Sequence, residues 1–504
     1  MQADPYAQGL RLSAQGLHAQ AIEQFERALS HNPDDTRTLF ALGNTARALG
    51  MIGPAQKFYR RVLAIEPQRL EALVNLANLL RTEGQFEAAE ALLAPALSRN
   101  PDAPELWLTL GSIYRETGNH QRASEYYREA VARRPNYAAA LGNLADLMAD
   151  DGSHHEALAL YDRALKAEPD NAQARLNRAV LCLLNGDLKQ GWRDYAARLK
   201  LPGKAPLPNH NLPRWNGTSL RNSRLLVTAE QGVGDQIMFA GMMADLAARA
   251  AAQDGSILLE CEPRLLSLFA RSFASIAVRP WDVEARAGTV RARYRWLKTA
   301  GGANSFIEMG TLPRFLRNKI EDFPQTVRYL APDADEASRW RAAFEHFPRP
   351  LTGVCWRSGS AGGHRALQYA PPDAWAGFLS ELPGTIISTQ YDAREDEIEA
   401  LRMMSGRDIV VPASIDQKNE LDRAAALFST LDAMVSAPTA VSWLSAAVGT
   451  PTCKILYDTS WTSFGLRHEP FAPFALCMMP KLRGDWADVF AQTTARLKAL
   501  FASS

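Results

Sequence analysis

The pattern of apolar and polar positions changes once along the chain, near residue 202. Before that point it repeats every 34 residues, with a small residue followed four positions later by a large apolar one. The small residues are Ala21, Ala55, Ala89, Ala123 and Ala157, and the large ones are Phe25, Tyr59, Leu93, Tyr127 and Tyr161. The same period separates Pro33, Pro67, Pro101, Pro135 and Pro169, and also Gly16, Gly50, Gly84, Gly118, Gly152 and Gly186. A fixed period of this length predicts stacked pairs of helices, an α-solenoid.

This spacing is similar to that of tetratricopeptide repeats, over residues 1–202. The resemblance implies two helices per repeat, with the Gly in the turn between them and the Pro after the second helix. The sixth unit departs from the pattern at Gly191, where Ala is expected, and at Arg198, where a second small residue is expected. We therefore interpret it as the cap that ends the solenoid.

Asparagines recur on the first helices of several repeats, at positions expected to line the concave face of the solenoid. They are Asn44, Asn75, Asn78, Asn143 and Asn177. An amide donates to a peptide C=O and accepts from a peptide N–H, so a row of amides is typical of a surface that holds an extended protein chain. Asn is also common at these positions in repeats generally, and the sequence leaves both interpretations open.

The second half of the chain has the pattern of an α/β protein. Residues 203–223 lose the helical period and are rich in Pro, which indicates a linker. From residue 224 short apolar runs alternate with amphipathic stretches, as in parallel sheets. The alternation is interrupted and then resumes, so we predict two Rossmann-like domains, at 224–340 and 341–484. We expect ligands at the carboxyl ends of their strands, in the cleft between the domains.

Three segments of this half carry more specific expectations. A helix is predicted over residues 236–252. The stretch 433–453 is uncharged, but it contains Pro438, Gly449 and Pro451, so we interpret it as a buried strand, helix and strand rather than a membrane span. Residues 485–504 are predicted to form a last helix that packs back on the first of the two domains.

Composition and charge exclude several classes of function. The chain has 56 Lys and Arg against 55 Asp and Glu, a net charge of +1, so a nucleic-acid partner is not expected. The 5 cysteines are far apart and show no CxxC pair, which argues against a metal site and favours reduced thiols. The first residues lack the basic and apolar regions of a signal peptide. We therefore expect a cytoplasmic protein without a membrane span.

The first predicted strand of this half ends in the turn Glu-Gln-Gly-Val-Gly-Asp, residues 230–235. Gly232 and Gly234 let backbone N–H groups approach a ligand, and the start of the following helix favours an anion. The three-glycine dinucleotide motif and the Lys of an ATP-binding P-loop are both missing from the turn, so NAD binding and ATP hydrolysis are disfavoured. Asp235 has two open interpretations, as a general base or as the cap of the helix.

Two further turns are candidates for binding phosphate. Pro438, Thr439 and Ala440 lie where a strand passes into a helix, with Pro438 suited to the first helical turn. The Thr hydroxyl and the first N–H groups of the helix suit a phosphate, and an ordinary buried turn is the alternative. The Gly- and Ser-rich loop 356–365 follows another strand and carries Arg357 and Arg365 as cations for anionic groups. We favour a phosphate-binding role for this loop.

Together these motifs resemble bacterial glycosyltransferases. The similar segments are the turn 230–235, CWRSG at 355–359, TQYD at 389–392, DQKNELD at 416–422 and SAPTAVSWLSAAVGTPT at 436–452. The chain is most similar to the repeat-bearing flagellin glycosyltransferases of alphaproteobacteria, and more distantly to lipopolysaccharide heptosyltransferases and O-GlcNAc transferases. It departs from the heptosyltransferases at Pro438-Thr439-Ala440, where they have Asp-Thr-Gly, and at Trp443, where they have His.

The resemblance implies a GT-B architecture, in which two Rossmann-like domains bind the acceptor (224–340) and the sugar donor (341–484). It implies transfer of a sugar from a nucleotide sugar, such as CMP-pseudaminic acid, to Ser or Thr of a protein such as flagellin. A lipid-linked acceptor and a non-catalytic repeat scaffold are the alternatives. No cofactor or metal is expected. Asp235 would be the base. The residues expected to meet the donor are Gly232, Gly234, Arg357, Arg365, Gln390, Tyr391, Lys418, Pro438, Thr439 and Ala440.

Overall fold

The computed structural model describes residues 4–201, 207–286, 289–324, 328–359 and 368–502. Contacts divide the chain into two compact units, Met1–Ala174 and Arg175–Ser504. Helices make up the first unit, and parallel sheets with their helices make up most of the second. The predicted change of architecture between the two halves is therefore present.

The helices of the first two hundred residues come in pairs. They are α1 Pro5–Ala14, α2 His18–His31, α3 Thr36–Ala48, α4 Ile52–Ile65, α5 Leu70–Thr82, α6 Phe86–Arg99, α7 Pro104–Glu116, α8 His120–Arg133, α9 Ala138–Asp150, α10 His154–Ala167, α11 Ala172–Leu184 and α12 Leu188–Tyr195. Each pair encloses one periodic glycine, with φ between 73° and 79°. Only Gly adopts this left-handed conformation at low cost, which is why the turn requires it. The periodic alanines and their large apolar partners are buried, and the predicted helix pairs are confirmed.

The sixth pair packs with the α/β half. Trp192 of α12 is 2% exposed, and its ring lies edge-on to Phe464 and Phe471, with centroid distances of 5.8 and 6.1 Å. Arg198 lies in a 3-10 turn that follows α12, Ala196–Lys200, and is buried against Glu230. The sixth unit departs from the repeat pattern because its side chains belong to the core of the second unit.

The first α/β region contains a parallel sheet of four strands. The strands here are β1 Leu207–Pro208, β2 Arg224–Thr228, β3 Ser256–Cys261, β4 Ala277–Pro280, β5 Val283–Arg286, β6 Thr289–Ala292 and β7 Ser305–Glu308. The main sheet has the order β4-β3-β2-β7, and β1, β6 and β5 form a separate small sheet. The helices are α13 Val233–Ala240, α14 Met243–Ala251, α15 Leu266–Ser272, α16 Pro313–Leu316 and α17 Ala334–Ala343. β2 lies where the strand order reverses, the usual position of a ligand.

The second α/β region contains a sheet of seven strands. They are β8 Leu351–Cys355, β9 Thr385–Ser388, β10 Ile409–Val410, β11 Ala433–Ser436, β12 Thr452–Ile455, β13 His468–Glu469 and β14 Ala472–Met478. Their order is β10-β9-β8-β11-β12-β14-β13, parallel except for β13. The helices are α18 Pro372–Ser380, α19 Glu395–Ser405, α20 Leu421–Phe428, α21 Ala440–Ala447 and α22 Trp486–Ala502. From β10 to β14 the strands follow the order of a doubly wound sheet. The stretch 433–453 is a buried strand, helix and strand, as predicted.

Two expectations about helices were wrong. The segment 236–252 is two helices, α13 and α14, with a break at residues 241–242. The last helix, α22, packs through Val489, Phe490 and Leu497 into the apolar cluster of the seven-stranded sheet, not on the first sheet. One apolar cluster is continuous between the two sheets, since it contains α13 and α21 side chains together. The two α/β regions therefore share a core.

Candidate functional site

Two of the turns singled out in the sequence meet in the structure. The turn after β2 starts α13, and the turn after β11 starts α21. A Cβ atom added to Gly234 would lie 3.4 Å from Ala440 Cα and 3.5 Å from Trp443 Cδ1. These are van der Waals distances, so the starts of the two helices lie against each other at Gly234. Since a helix start carries partial positive charge and unpaired N–H groups, this junction suits an anionic ligand.

Asp235 lies in the first turn of α13. Its Oδ2 accepts a hydrogen bond from the Gly232 N–H at 3.1 Å. Burial raises the pKa of this carboxyl, and the hydrogen bond from Gly232 opposes that rise. A raised pKa brings a carboxylate closer to the range in which it accepts protons efficiently. The expectation that Asp235 is the N-cap is therefore wrong, because the helix begins two residues earlier and Asp235 supports its start from the third position. The role as a base stays a prediction.

Arg198, which the sequence marks only as a departure from the repeat pattern, holds the turn 230–235. Arg198 and Glu230 form an ion pair, 3% and 2% exposed, with 3.0 Å between Nε and Oε2. Arg198 also donates to Thr311 Oγ1 at 2.9 Å, and the Gly310 N–H donates to Glu230 Oε1 at 2.8 Å. Gln231, next along the turn, has a φ of 61°. A left-handed non-glycine residue is strained, and such strain is common at functional sites.

The start of α21 differs from the prediction in one respect. The N-cap is Thr439, whose Oγ1 accepts from the Val441 N–H at 3.2 Å, and the helix begins at Ala440. Pro438 therefore precedes the helix and is not in its first turn. Thr439 is 8% exposed, and its hydroxyl lies 3.8 Å from Cys355 Sγ at the end of β8. The Thr hydroxyl thus faces the neighbouring strand end as well as the helix.

Gln390 follows β9 and holds the segment after β8. Its Oε1 accepts from the N–H groups of Trp356 and Arg357, each at 3.0 Å. Its Nε2 donates to the Arg357 carbonyl at 2.9 Å and to Asp392 Oδ1 at 2.8 Å. With its amide engaged on both sides, Gln390 positions the loop that starts at Trp356. Contact with a nucleotide or sugar stays a prediction for this residue.

Arg357 is bound by carboxylates of the same region. Glu397 accepts from Nε at 2.9 Å and from Nη2 at 2.6 Å, and Asp392 Oδ1 accepts from Nη1 at 3.1 Å. The carbonyls of Ser358 and Asp392 take the other two N–H groups. These partners raise the pKa of Arg357, chiefly through Glu397. All five N–H groups are used, so a phosphate would have to displace one of these bonds.

Tyr391 and Lys418, which are also predicted on the donor side, differ in their contacts and exposure. The Tyr391 hydroxyl accepts from the Gly359 N–H at 2.5 Å, which braces the same loop. Lys418 is exposed, and among the described residues its ammonium has no hydrogen bond, while its carbonyl accepts from Arg264 at 2.8 Å. Arg365 lies outside the described residues. The structure therefore brings Gln390, Arg357 and Tyr391 into one network.

A buried ion pair beside the junction was missed by the sequence analysis. Lys454 of β12 and Glu469 of β13 are 2.5 Å apart, with side chains 4% and 0% exposed. The Lys454 ammonium lies 4.5 Å from the centre of the Trp443 ring, whose edge also faces Gly234. Its positive charge partly opposes the rise that burial causes in the pKa of Asp235. No local motif indicates this pair, because its members come from separate strands.

The repeat asparagines are partly used within the solenoid. Asn44 Oδ1 accepts from the Asn75 amide at 3.0 Å and from the Tyr59 hydroxyl at 2.7 Å. The Asn143 amide donates to Ser112 Oγ at 3.5 Å. The Asn75 and Asn143 bonds join one repeat to the one before it, and the Tyr59 bond joins the two helices of one repeat. Asn44, Asn75 and Asn143 therefore have a structural role. Binding of a protein by Asn44, Asn75, Asn78, Asn143 and Asn177 stays a prediction.

Within the described ranges there is no group of three or more His, Cys, Asp or Glu side chains that would hold a metal ion. No helix in the described part of the chain has the length and apolar character needed to cross a membrane.

Comparison with known proteins identifies the first part of the chain. A family model described as tetratricopeptide repeat matches residues 6–69, 74–138 and 143–205. These residues form tetratricopeptide repeats. A thermophilic tetratricopeptide-repeat protein from Thermus thermophilus is 29% identical, with a TM-score of 0.32 over 36% of this chain and 97% of that one. The pilF protein of Pseudomonas aeruginosa is 21% identical, with a TM-score of 0.34 over 39% of this chain and 88% of that one.

Protein FlbA of Caulobacter vibrioides is similar over a longer part of the chain. It is 32% identical over 330 residues, which are 65% of this chain and 55% of that protein. The chain thus spans about half the length of this curated relative. Since the matched length exceeds that of the tetratricopeptide repeats, the similarity includes part of the α/β half.

Proposed function

We propose that this protein is a cytoplasmic protein O-glycosyltransferase of the GT-B type, with a nucleotide sugar as donor and Ser or Thr of a protein as acceptor. From the family resemblance of the sequence, the donor is CMP-pseudaminic acid or a related nonulosonic acid, and the acceptor is flagellin. The tetratricopeptide repeats select the acceptor. The observation that carries the proposal is the contact between Gly234 and the start of α21, where two doubly wound sheets present helix starts to one place.

In this scheme the acceptor hydroxyl attacks the anomeric carbon of the sugar. The bond between that carbon and the phosphate oxygen breaks, and the nucleotide leaves with the electron pair. Asp235 takes the hydroxyl proton. The Thr439 hydroxyl and the first N–H groups of α21 stabilise the charge that builds on the phosphate. No step of the scheme requires a metal ion.

The remaining donor-side residues have two roles. Lys418 and Arg365 supply positive charge to the phosphate, as does the backbone at Gly232 and Gly234. Arg357, Gln390 and Tyr391 hold the loop after β8 in the shape that the donor meets, through the network described above. In this way the guanidinium acts through the loop and not as a direct phosphate ligand.

The test is incubation of the purified protein with flagellin and CMP-pseudaminic acid, followed by intact-mass spectrometry of the flagellin. We expect a mass increase of one sugar or more. Asp235→Asn keeps the shape of the carboxyl but cannot take the proton, so the rate should fall about 100- to 10,000-fold. Wild-type transfer should also weaken on acidification, because protonated Asp235 is no base. Unmodified flagellin with this donor and with other nucleotide sugars would reject the proposal.

A further inference from the structure

A buried ion pair lies near the carboxyl edge of the seven-stranded sheet. Lys454 of β12 is paired in the sheet with Ser436, the last residue of β11, and from Ser436 the chain turns into α21. The Lys454 ammonium lies 2.5 Å from Glu469 Oε1, and the two side chains are 4% and 0% exposed. A cation is therefore fixed inside the core close to the start of α21.

The Trp443 ring lies between this cation and the junction of the two helix starts. The ammonium is 4.5 Å from the centre of the ring, a distance at which the face of an aromatic ring attracts a cation. The edge of the same ring lies against Gly234, the residue before Asp235. Because its ammonium is enclosed, Lys454 acts on the junction through a medium of low dielectric constant and not by direct contact.

Stability alone does not explain the pair. Desolvation of two charges offsets much of their attraction, and apolar side chains of similar size often serve a core equally well. Glu469 Oε1 accepts from Lys454, from the Thr462 hydroxyl at 2.9 Å and from the Cys477 thiol at 3.6 Å. Glu469 Oε2 is buried without a hydrogen-bond partner in the described part of the chain. An ammonium fixed at such an expense is more typical of a functional charge than of a core contact.

Several charged groups act on Asp235 from the elements around α13. Burial raises the pKa of Asp235, and Glu230 adds to the rise, while Arg198 and Lys454 oppose it. Arg198 and Glu230 are paired with each other, so their effects largely cancel. Tyr195 is neutral near pH 7, because burial raises its pKa to about 12. α21 and the 3-10 turn after β7 also pack against α13 and carry no charged residue. Lys454 therefore contributes a positive charge that no group of the turn itself cancels.

We propose that Lys454 is a positioning residue of the transfer site: from behind Trp443 its ammonium keeps Asp235 ionised, so that the carboxylate can take a proton near neutral pH. The same charge favours the anionic phosphate at the start of α21. Glu469 holds the ammonium in place, and Trp443 shields it from the ligand. The inference rests on the proposed function, in which Asp235 is the base, and adds a residue that the scheme does not use.

A double substitution removes both charges together. Lys454→Met with Glu469→Gln leaves no charge stranded in the core, so the fold should be kept. Without the ammonium Asp235 binds a proton more readily, so the acid limb of the pH profile of kcat/KM should move up by about one pH unit. Transfer measured on that limb should fall about tenfold. Thr462→Val is the matched control, because it removes a hydrogen bond to Glu469 but no charge. It should lower the melting temperature and leave the pH profile unchanged.

Titration of Asp235 itself separates this inference from the proposed function. The probe is isotope-labelled aspartate observed by NMR, with the Asp235 carboxyl signal identified by its loss in Asp235→Asn, and no substrate is needed. The signal of the double variant should titrate at a higher pH than that of the wild type and of Thr462→Val. This shift without any transfer by the wild type would reject the proposed function and support the role of Lys454. An unmoved titration, with or without a lowered melting temperature, would overturn the inference.

Discussion

Arg357 is a residue whose chemistry suggests one role and whose contacts support another. If it acts through the loop, Glu397→Gln weakens its anchor, and we expect nucleotide-sugar affinity to fall about tenfold, the value of one charge-assisted hydrogen bond. If Arg357 contacted phosphate directly, the same substitution would free the guanidinium and increase the affinity. Calorimetric titration of the wild type and of Glu397→Gln with the nucleotide sugar decides between these two roles of Arg357. Asp396→Asn, at an exposed carboxylate of the same helix, is the control.

Glu260 makes a pH-dependent contribution to stability. Burial raises its pKa from 4.5 to about 8, so between these values the folded protein keeps a proton that the unfolded chain has released. The free energy of unfolding therefore decreases as the pH rises across this window. Glu260→Gln does not ionise, so its stability relative to the wild type should increase from about pH 5 to about pH 8. Urea unfolding at both pH values measures this, and a difference that is independent of pH would contradict it.

At the scale of elements, the turn that starts α13 depends on the segment after α12. Arg198→Met alone leaves Glu230 buried and unpaired, so we expect a loss of about 3–5 kcal/mol in the free energy of unfolding. Adding Glu230→Gln removes the stranded charge and should restore most of that loss. Chemical denaturation of the single and double variants tests this, and a double variant no more stable than Arg198→Met would be the contrary result.

The local sequence pattern predicts the helices, strands and turns of this protein. The side chains that hold the candidate turns in place come from distant positions in the chain. The 34-residue period fixes each Gly turn because only Gly tolerates its φ, and strand alternation locates β2, β8 and β11. Arg198 and Glu230 are 32 residues apart with a linker between them, and no periodicity joins them. The network of Gln390, Arg357 and Glu397 likewise spans two strand ends and a helix. The candidate turns were thus predictable from sequence, and the side chains that hold them were not.

At the scale of the whole molecule, the boundary between the two compact units determines where the chain can be cut to separate acceptor selection from sugar transfer. Contacts place the boundary at Ala174, in the first turn of the sixth helix pair, while composition indicates a linker at residues 203–223. The described part of that segment forms backbone hydrogen bonds with the first α/β region. Arg214 forms a parallel bridge with Phe306 of β7, and the Trp215 N–H donates to the Phe306 carbonyl. Trp192 and Arg198 belong to the second unit, so a catalytic fragment requires the sixth helix pair.

We therefore expect two truncations to behave differently. A fragment of residues 171–504 keeps Trp192 against Phe464 and Arg198 against Glu230, so it should unfold cooperatively and bind the nucleotide sugar with nearly wild-type affinity. It should lose modification of flagellin, because the repeats that select the acceptor are missing. A fragment of residues 210–504 exposes Phe464 and Phe471 and strands Glu230, so its melting temperature should be much lower. Equal melting temperatures for the two fragments would show that the sixth helix pair does not stabilise the α/β half. Full modification of flagellin by residues 171–504 would show that the repeats do not select the acceptor.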